Sequence, residues 1–276
     1  MNHPLGPFLR FSAACFGLAF VVLSADAADP APPVISAADL ASQLSALQQD
    51  GASYVRLRME VKQPSGTTKT VLQIQIKQRR TKTVSDVLYQ VLWPKEMKGE
   101  AVLLQKTANQ PATGSLFLPS GTVHPLDNSQ MKQPLFDSDL SYEDVLENFF
   151  AWEHQAITGN EVVSGVNCQI LESKPGKSDH SSYASVRTWV DTRRLVPLRI
   201  EKYLPSGQVA LRIDSTKVAA DDNHHPVAAD LTVSGRRQDS ATELDGSSIR
   251  HDVSYADRDF TPEGIKELTP PAPAPK

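Results

Sequence analysis

The stretch "FDSDLSYEDVLENFF", Phe136 to Phe150, sets Asp137, Asp139, Glu143, Asp144 and Glu147 close together before turning apolar. Carboxylates two residues apart, as in Asp137 and Asp139, could open a calcium loop or form an acid/base pair. A calcium loop needs Asp or Asn at its third and fifth positions, Gly at the sixth and Glu at the twelfth. Counted from Asp137, those positions are Asp139, Ser141, Tyr142 and Asn148, so the turn-forming Gly and the bidentate Glu are missing. A helix start accounts for more of the letters. Ser141 followed by Asp144 has the layout of a capping box, and Glu143 and Asp144 fall in the first turn. There the helix dipole favours each negative charge by about 0.3–1 kcal/mol. Val145, Leu146, Phe149, Phe150 and Trp152 then form a bulky apolar face, suited to a core or to one wall of a pocket.

The other reactive residue types form no catalytic or metal-binding pattern. None of the seven histidines has a partner at the i, i+4 spacing of a helical zinc site, and no Cys lies beside one. "DDNHHP", Asp221 to Pro226, is the densest set of ligand-type residues and reads as a solvated loop before a strand. "TGSLF" and "VSGVN" lack the second Gly of a serine-hydrolase elbow. Cys168 sits in a strand pattern without a neighbouring His, as a buried inert thiol does. Neither a Walker loop nor a dinucleotide fingerprint is present. No catalytic residue, metal or cofactor is expected, although an enzyme with a dispersed site would leave no local signature.

The elements that would position these residues alternate at period two. Ser36 with Asp39 starts a helix on which Leu40, Leu44 and Leu47 share a face, and Gly51 is its expected stop. From Tyr54 onward, Val55, Leu57, Met59 and Val61 alternate with Arg56, Arg58, Glu60 and Lys62, a strand wet on one side. Leu72, Ile74 and Ile76, then Val87, Tyr89, Val91 and Trp93, continue the pattern, with "PSG" turns at Pro64 and Pro119. Beyond the acidic stretch, strand-like segments recur every 10–12 residues or so, the spacing of an antiparallel meander. The layout is helix, about five strands, helix, about six strands. So many strands in one sheet must curl, and a curved sheet wrapped around two amphipathic helices fits. A two-sheet sandwich competes but leaves those helices without a role. Thr261 to Leu268 is a candidate terminal helical turn.

The N-terminus carries Arg10, an apolar run from Phe11 to Leu23, and the A-x-A spacing of Ala25 and Ala27. This pattern predicts a secretory signal at residues 1–27, with a retained membrane anchor as the alternative. Cys15 lies inside the run, not after it, which argues against a lipid-modified cysteine. Cleavage would leave Cys168 alone, so no internal disulfide is expected even in an oxidising compartment. Residues 28–35 read as a linker, 36–268 as one domain, and 269–276 as a Pro-rich tail. The formal net charge of -4 gives no electrostatic reason to expect nucleic acid.

The ordered blocks "LFLPSG", "FDSDLSYEDV", "GVNCQILESKP", "YASVRTWVDTRRLVPLRIEKYLPSGQ" and "RDFTPEGIKEL" resemble the outer-membrane lipoprotein-sorting proteins of the LolA/LolB-like superfamily. Asp139, Ser141, Tyr142, Glu143 and Asp144 match that family's acidic block, and Trp189, Val190, Asp191, Pro197 and Gly207 match its later hairpin. Asp137 stands where the family has Gly, and Leu140 where it has Phe. The resemblance implies a mainly β (α+β) fold: a single large curved antiparallel sheet forming an incomplete β-barrel, with helices covering its concave face. It implies a periplasmic carrier that binds acyl chains of lipoproteins or lipids in an apolar cavity, for transfer toward the outer membrane. An inner-membrane transporter and an outer-membrane acceptor would be its partners. The alternative is a periplasmic sensor or scaffold of the same fold that binds an envelope protein. Candidate lipid-lining residues are Leu57, Met59, Leu72, Ile74, Val91 and Trp93 from the strands, with Phe149, Phe150 and Trp152 after the acidic stretch.

Overall fold

A computed structural model describes residues 35–48, 51–108, 110–235 and 240–266. The expected signal segment, most of the linker and the Pro-rich tail lie outside the described residues. Helix α1 is Ala37–Gln48. Six strands follow: β1 Gly51–Lys62, β2 Thr68–Arg80, β3 Val84–Trp93, β4 Ala101–Thr107, β5 Thr113–Phe117 and β6 Val123–Leu126. A crossover then carries the short helix α2, Tyr142–Leu146. Seven more strands complete the sheet: β7 His154–Val163, β8 Val166–Lys174, β9 Ser185–Asp191, β10 Val196–Tyr203, β11 Val209–Ala220, β12 Pro226–Ser234 and β13 Ala241–Arg250.

All thirteen strands join one antiparallel sheet in the order β6-β5-β4-β3-β2-β1-β13-β12-β11-β10-β9-β8-β7. Each half is a meander, and the halves meet where the first strand pairs with the last, Met59 opposite Leu244 and Val61 opposite Thr242. β6 and β7 are the two edges, so the sheet is not closed. They are also the strands that the crossover joins, so the segment between them must pass from one edge to the other. None of the helices among the described residues is long and apolar enough to cross a membrane.

Cross-strand register decides which side chains share a face. Met59 lies opposite Leu72, Leu57 opposite Ile74, and Ile74 opposite Val91. These residues pack with Met131, Leu135, Phe136, Tyr142 and Leu146 of the crossover, so this is the crossover face. In the other half the same face carries Leu171, Val186 and Val190, which pack against α1 and against Phe149, Phe150 and Trp152. The two halves thus have separate apolar clusters, both covered by segments that are not strands.

Three expectations need correction. The face of α1 that packs inward is Leu40, Ala41, Leu44 and Ser45, while Leu47 is 47% exposed. Ser36 does cap the helix, its Oγ accepting from the Asp39 amide at 3.1 Å, and Gly51, at a φ of 74°, opens β1 beyond the helix end at Gln48. The opposite face is not uniformly wet either. Leu88, Ala101, Leu103 and Phe117 are covered there by Phe260 and Ile265 from the 3₁₀ turns at Asp257–Phe260 and Gly264–Lys266. A chain of buried polar groups ties that segment down: Tyr54 Oη donates to Gln75 (3.0 Å), Gln75 Nε2 to Gln90 (2.6 Å), and Gln90 Nε2 to the Ile265 carbonyl. Finally, the apolar face expected after Ser141 is broken. α2 ends at Leu146, Glu147 is extended, and a 3₁₀ turn at Phe149–Ala151 follows, so Leu146 and the rings belong to different clusters.

Candidate functional site: the crossover and the cavity beside it

The crossover turns on the acidic stretch, whose carboxylates are structural anchors. Ser141 and Asp144 form the expected capping box: Ser141 Oγ accepts from the Asp144 amide at 3.2 Å, and Asp144 Oδ2 accepts from the Ser141 amide at 2.7 Å. The other oxygen of Asp144 accepts from Tyr183 Oη at 2.7 Å and from Lys202 Nζ at 3.0 Å. Both side chains of the ion pair are shut off from water, at 0% and 1% exposure. The ammonium of Lys202 also lies 5.0 Å from the Tyr183 ring centre and 5.6 Å from that of Phe149, where ring faces favour a cation. A charge this deep is tolerated only with such partners.

Asp139 is the second anchor. Its carboxylate accepts from Ser240 Oγ (2.6 Å) and Thr242 Oγ1 (2.8 Å), the latter on β13. Arg80, at the end of β2, is the third: its guanidinium donates to the carbonyls of Val145 (2.8 Å) and Leu146 (3.1 Å), capping α2 from outside. Asp137 by contrast is exposed and pairs with Lys69. Its φ of 60° lies in the left-handed region, which Gly adopts freely and Asp tolerates. Around the 3₁₀ turn, Gln155 Nε2 meets the carbonyls of Phe149, Phe150 and Trp152 at 3.1–3.3 Å. The rings pack on one another, Phe149 tilted against Phe150 with centres 4.4 Å apart and edge-on to Trp152 at 6.1 Å.

A cavity of about 240 Å³ opens beside α2, where the two apolar clusters approach. Leu146 and Met131 reach it from one cluster and Trp152 from the other. Its remaining wall mixes apolar residues such as Val84, Pro111 and Ala112 with Arg80, Lys82, Lys106, Lys132, Glu147 and Asn148. Burial pushes the Glu147 carboxyl up to about 7, against the opposing pull of Lys202. Its Oε2 and the Oδ1 of Asn148 are buried and have no hydrogen-bond partner among the described residues.

The nine candidate lining residues divide three ways. Met59, Leu72, Ile74 and Val91 are buried together, with Leu57 packed against them. Phe149, Phe150 and Trp152 are buried in the other half. Trp93, at the end of β3, is 50% exposed and belongs to neither cluster. Lys202, Tyr183, Arg80 and Glu147 were not foreseen. For Lys202 there was a signal: it follows Ile200 by two residues in β10, a lysine in an apolar row.

The carboxylate and histidine set in "DDNHHP" is also built into the backbone. Asp221 Oδ1 accepts from the Asn223 and His225 amides at 2.9 and 2.8 Å. Asp222 accepts from the amide of His251 at 2.6 Å and lies 2.8 Å from its Nδ1. These bonds tie the β11–β12 hairpin to the end of β13. The Asp221 side chain is shielded, while Asp222 to Pro226 are exposed, as a solvated loop is.

No curated protein sequence matches the chain significantly. Among solved structures, a DUF1329 family protein from Desulfovibrio piger superposes with a TM-score of 0.75 at 22% identity, covering 83% of this chain and 97% of that one. An outer membrane lipoprotein-sorting protein domain from Vibrio parahaemolyticus gives 0.73 at 19% identity, over 84% of this chain and 98% of that one. A LolA superfamily protein from Nitrosomonas europaea gives 0.65 at 17% identity, over 83% and 98%. A family model described as "Uncharacterized protein" matches residues 83–267. The chain belongs to that family, and it has the fold of the LolA-like superfamily.

Proposed function

We propose that the protein is a periplasmic carrier that shelters acyl chains of lipoproteins or lipids on the crossover face, for transfer toward the outer membrane. One observation carries this reading: the apolar crossover face is covered by side chains of the crossover and α1, which are not part of the sheet. In this account the sheet is the concave wall and these segments are its cover. An acyl chain that enters replaces Met131, Leu135 or Phe136 against the strands, exchanging one apolar neighbour for another. The opening therefore costs little in lost burial, while each CH₂ removed from water contributes about 0.8 kcal/mol. The buried acids anchor the cover, which suits a non-enzymatic binding protein. Leu57, Met59, Leu72, Ile74 and Val91 would line one end of the path, and Phe149, Phe150 and Trp152 the other. Trp93 would stand at the rim.

The LolA-like fold supports this reading, as do the neighbours from the lipoprotein-sorting class. Native mass spectrometry of protein extracted from its own envelope tests it. Co-purifying lipid or lipopeptide is the expected result. A lipid-free protein that binds no fluorescent acyl probe would end the carrier reading.

A further inference from the structure

The cavity beside α2 has a mixed lining, with a cluster of cations beside its apolar side chains. Lys82, Lys106 and Lys132 line it and make no ion pair among the described residues, and Arg80 donates its guanidinium to two carbonyls. Four cations therefore face one space together with the carboxyls of Glu143, Asp179 and Glu147, and Lys106 acts on Glu147 through its charge. Among the carboxylates there, Glu143 is engaged by Ser182 (2.6 and 2.7 Å), and Asp179 accepts from the Gly176 amide at 2.9 Å. Glu147 Oε2 and Asn148 Oδ1 are buried with no hydrogen-bond partner among the described residues. In a folded protein such atoms are rare and costly, and a bound ligand is one way to satisfy them. With its carboxyl held near 7, Glu147 is substantially protonated at neutral pH and can donate an O–H. The space would hold about eight waters by volume, enough for a compact polar group.

We propose that this cavity binds a phosphate ester, the polar head of a phospholipid whose chains run onto the crossover face. The lysines would supply charge to the phosphate oxygens. Glu147 would donate to one of them, and Asn148 Oδ1 would accept from a hydroxyl or ammonium of the head. The site opens beside Leu146, Met131 and Trp152, so a head seated here has apolar surface on both sides. The link to a lipid rests on the carrier reading, whereas the anion site itself does not.

Calorimetric titration with three probes separates the two. The probes are dodecyl phosphate and dodecyl maltoside, both below micelle formation, and inorganic phosphate. Dodecyl phosphate is expected to bind about tenfold tighter than the maltoside, with the margin shrinking as salt rises. A chain carrying Lys82→Gln, Lys106→Gln and Lys132→Gln should lose that margin while binding the maltoside unchanged. Those are surface charges outside the core, and circular dichroism checks that the variant folds. Equal affinity for the two dodecyl compounds, or a margin that survives the triple substitution, overturns the site and leaves the carrier reading standing. Binding of inorganic phosphate without either dodecyl compound keeps the site and sinks the carrier reading. If no probe binds, both are wrong.

Discussion

Lys202 Nζ lies 3.0 Å from Asp144 Oδ1, and neither side chain is reached by solvent. One partner comes from the capping box of α2 and the other from β10, an interior strand of the sheet's second half, so this pair fastens the crossover to the strand layer. Removing one charge leaves the other buried and uncompensated, a loss of about 3–5 kcal/mol. Asp144→Asn should lower unfolding stability by that order in urea titration. Pairing it with Lys202→Met should recover much of the loss, since the lone ammonium is then gone. A single mutant within 1 kcal/mol or so of the wild type would mean that the pair is not buried in solution.

Asp139 accepts from the hydroxyls of Ser240 and Thr242. Asp139→Asn keeps one acceptor and costs about 1–3 kcal/mol. Thr242→Val, which removes a donor to Asp139 and an acceptor for its amide, should fall in the same range. A double-mutant cycle between Asp139 and Thr242 should show coupling, and additive effects would argue against the contact.

Glu147 predicts a pH dependence. An acid raised from the ordinary glutamate range to about 7 binds its proton more tightly folded than unfolded. Stability should therefore fall as pH rises from about 4.5 to 7, by up to roughly 3 kcal/mol from this group, and flatten above. Glu147→Gln should remove that part of the slope. If wild type and mutant give parallel stability curves from pH 5 to 8, the carboxyl is not held as described.

Cys168 is buried, and burial together with the nearby Asp191 pushes its thiol up to about 11. In a chain with Cys15 replaced by serine, a thiol reagent at pH 8 should label nothing until the protein unfolds. Rapid labelling of the native protein would place Cys168 at the surface.

The sequence was most informative where period two applied. The register of β1, β2 and β3 follows the alternation of Met59, Leu72, Ile74 and Val91, because one face of the sheet is continuously apolar. The capping box of Ser141 was also legible, being a local hydrogen-bond pattern. What lay beyond reach was long-range. Asp144 meets Lys202 across 58 residues and Asp139 meets Thr242 across 103, and no local spacing announces either. The same holds for the opposite face, where Phe260 and Ile265 cover β3 and β4 only because the C-terminal segment folds back. Two apolar periodicities also merged in the reading of residues 141–152, since α2 and the 3₁₀ turn follow each other without a Gly or Pro to mark the break.

The central claim is that acyl chains occupy the crossover face, and a fluorescent fatty-acid probe measures this most directly. The folded protein should bind the probe saturably and release it to phospholipid. Phe149→Ser, which opens the packed rings of the second cluster, should weaken binding several-fold while the far-ultraviolet spectrum stays unchanged. A folded wild-type protein that binds no probe, or a Phe149→Ser protein that binds it equally well, would contradict the account.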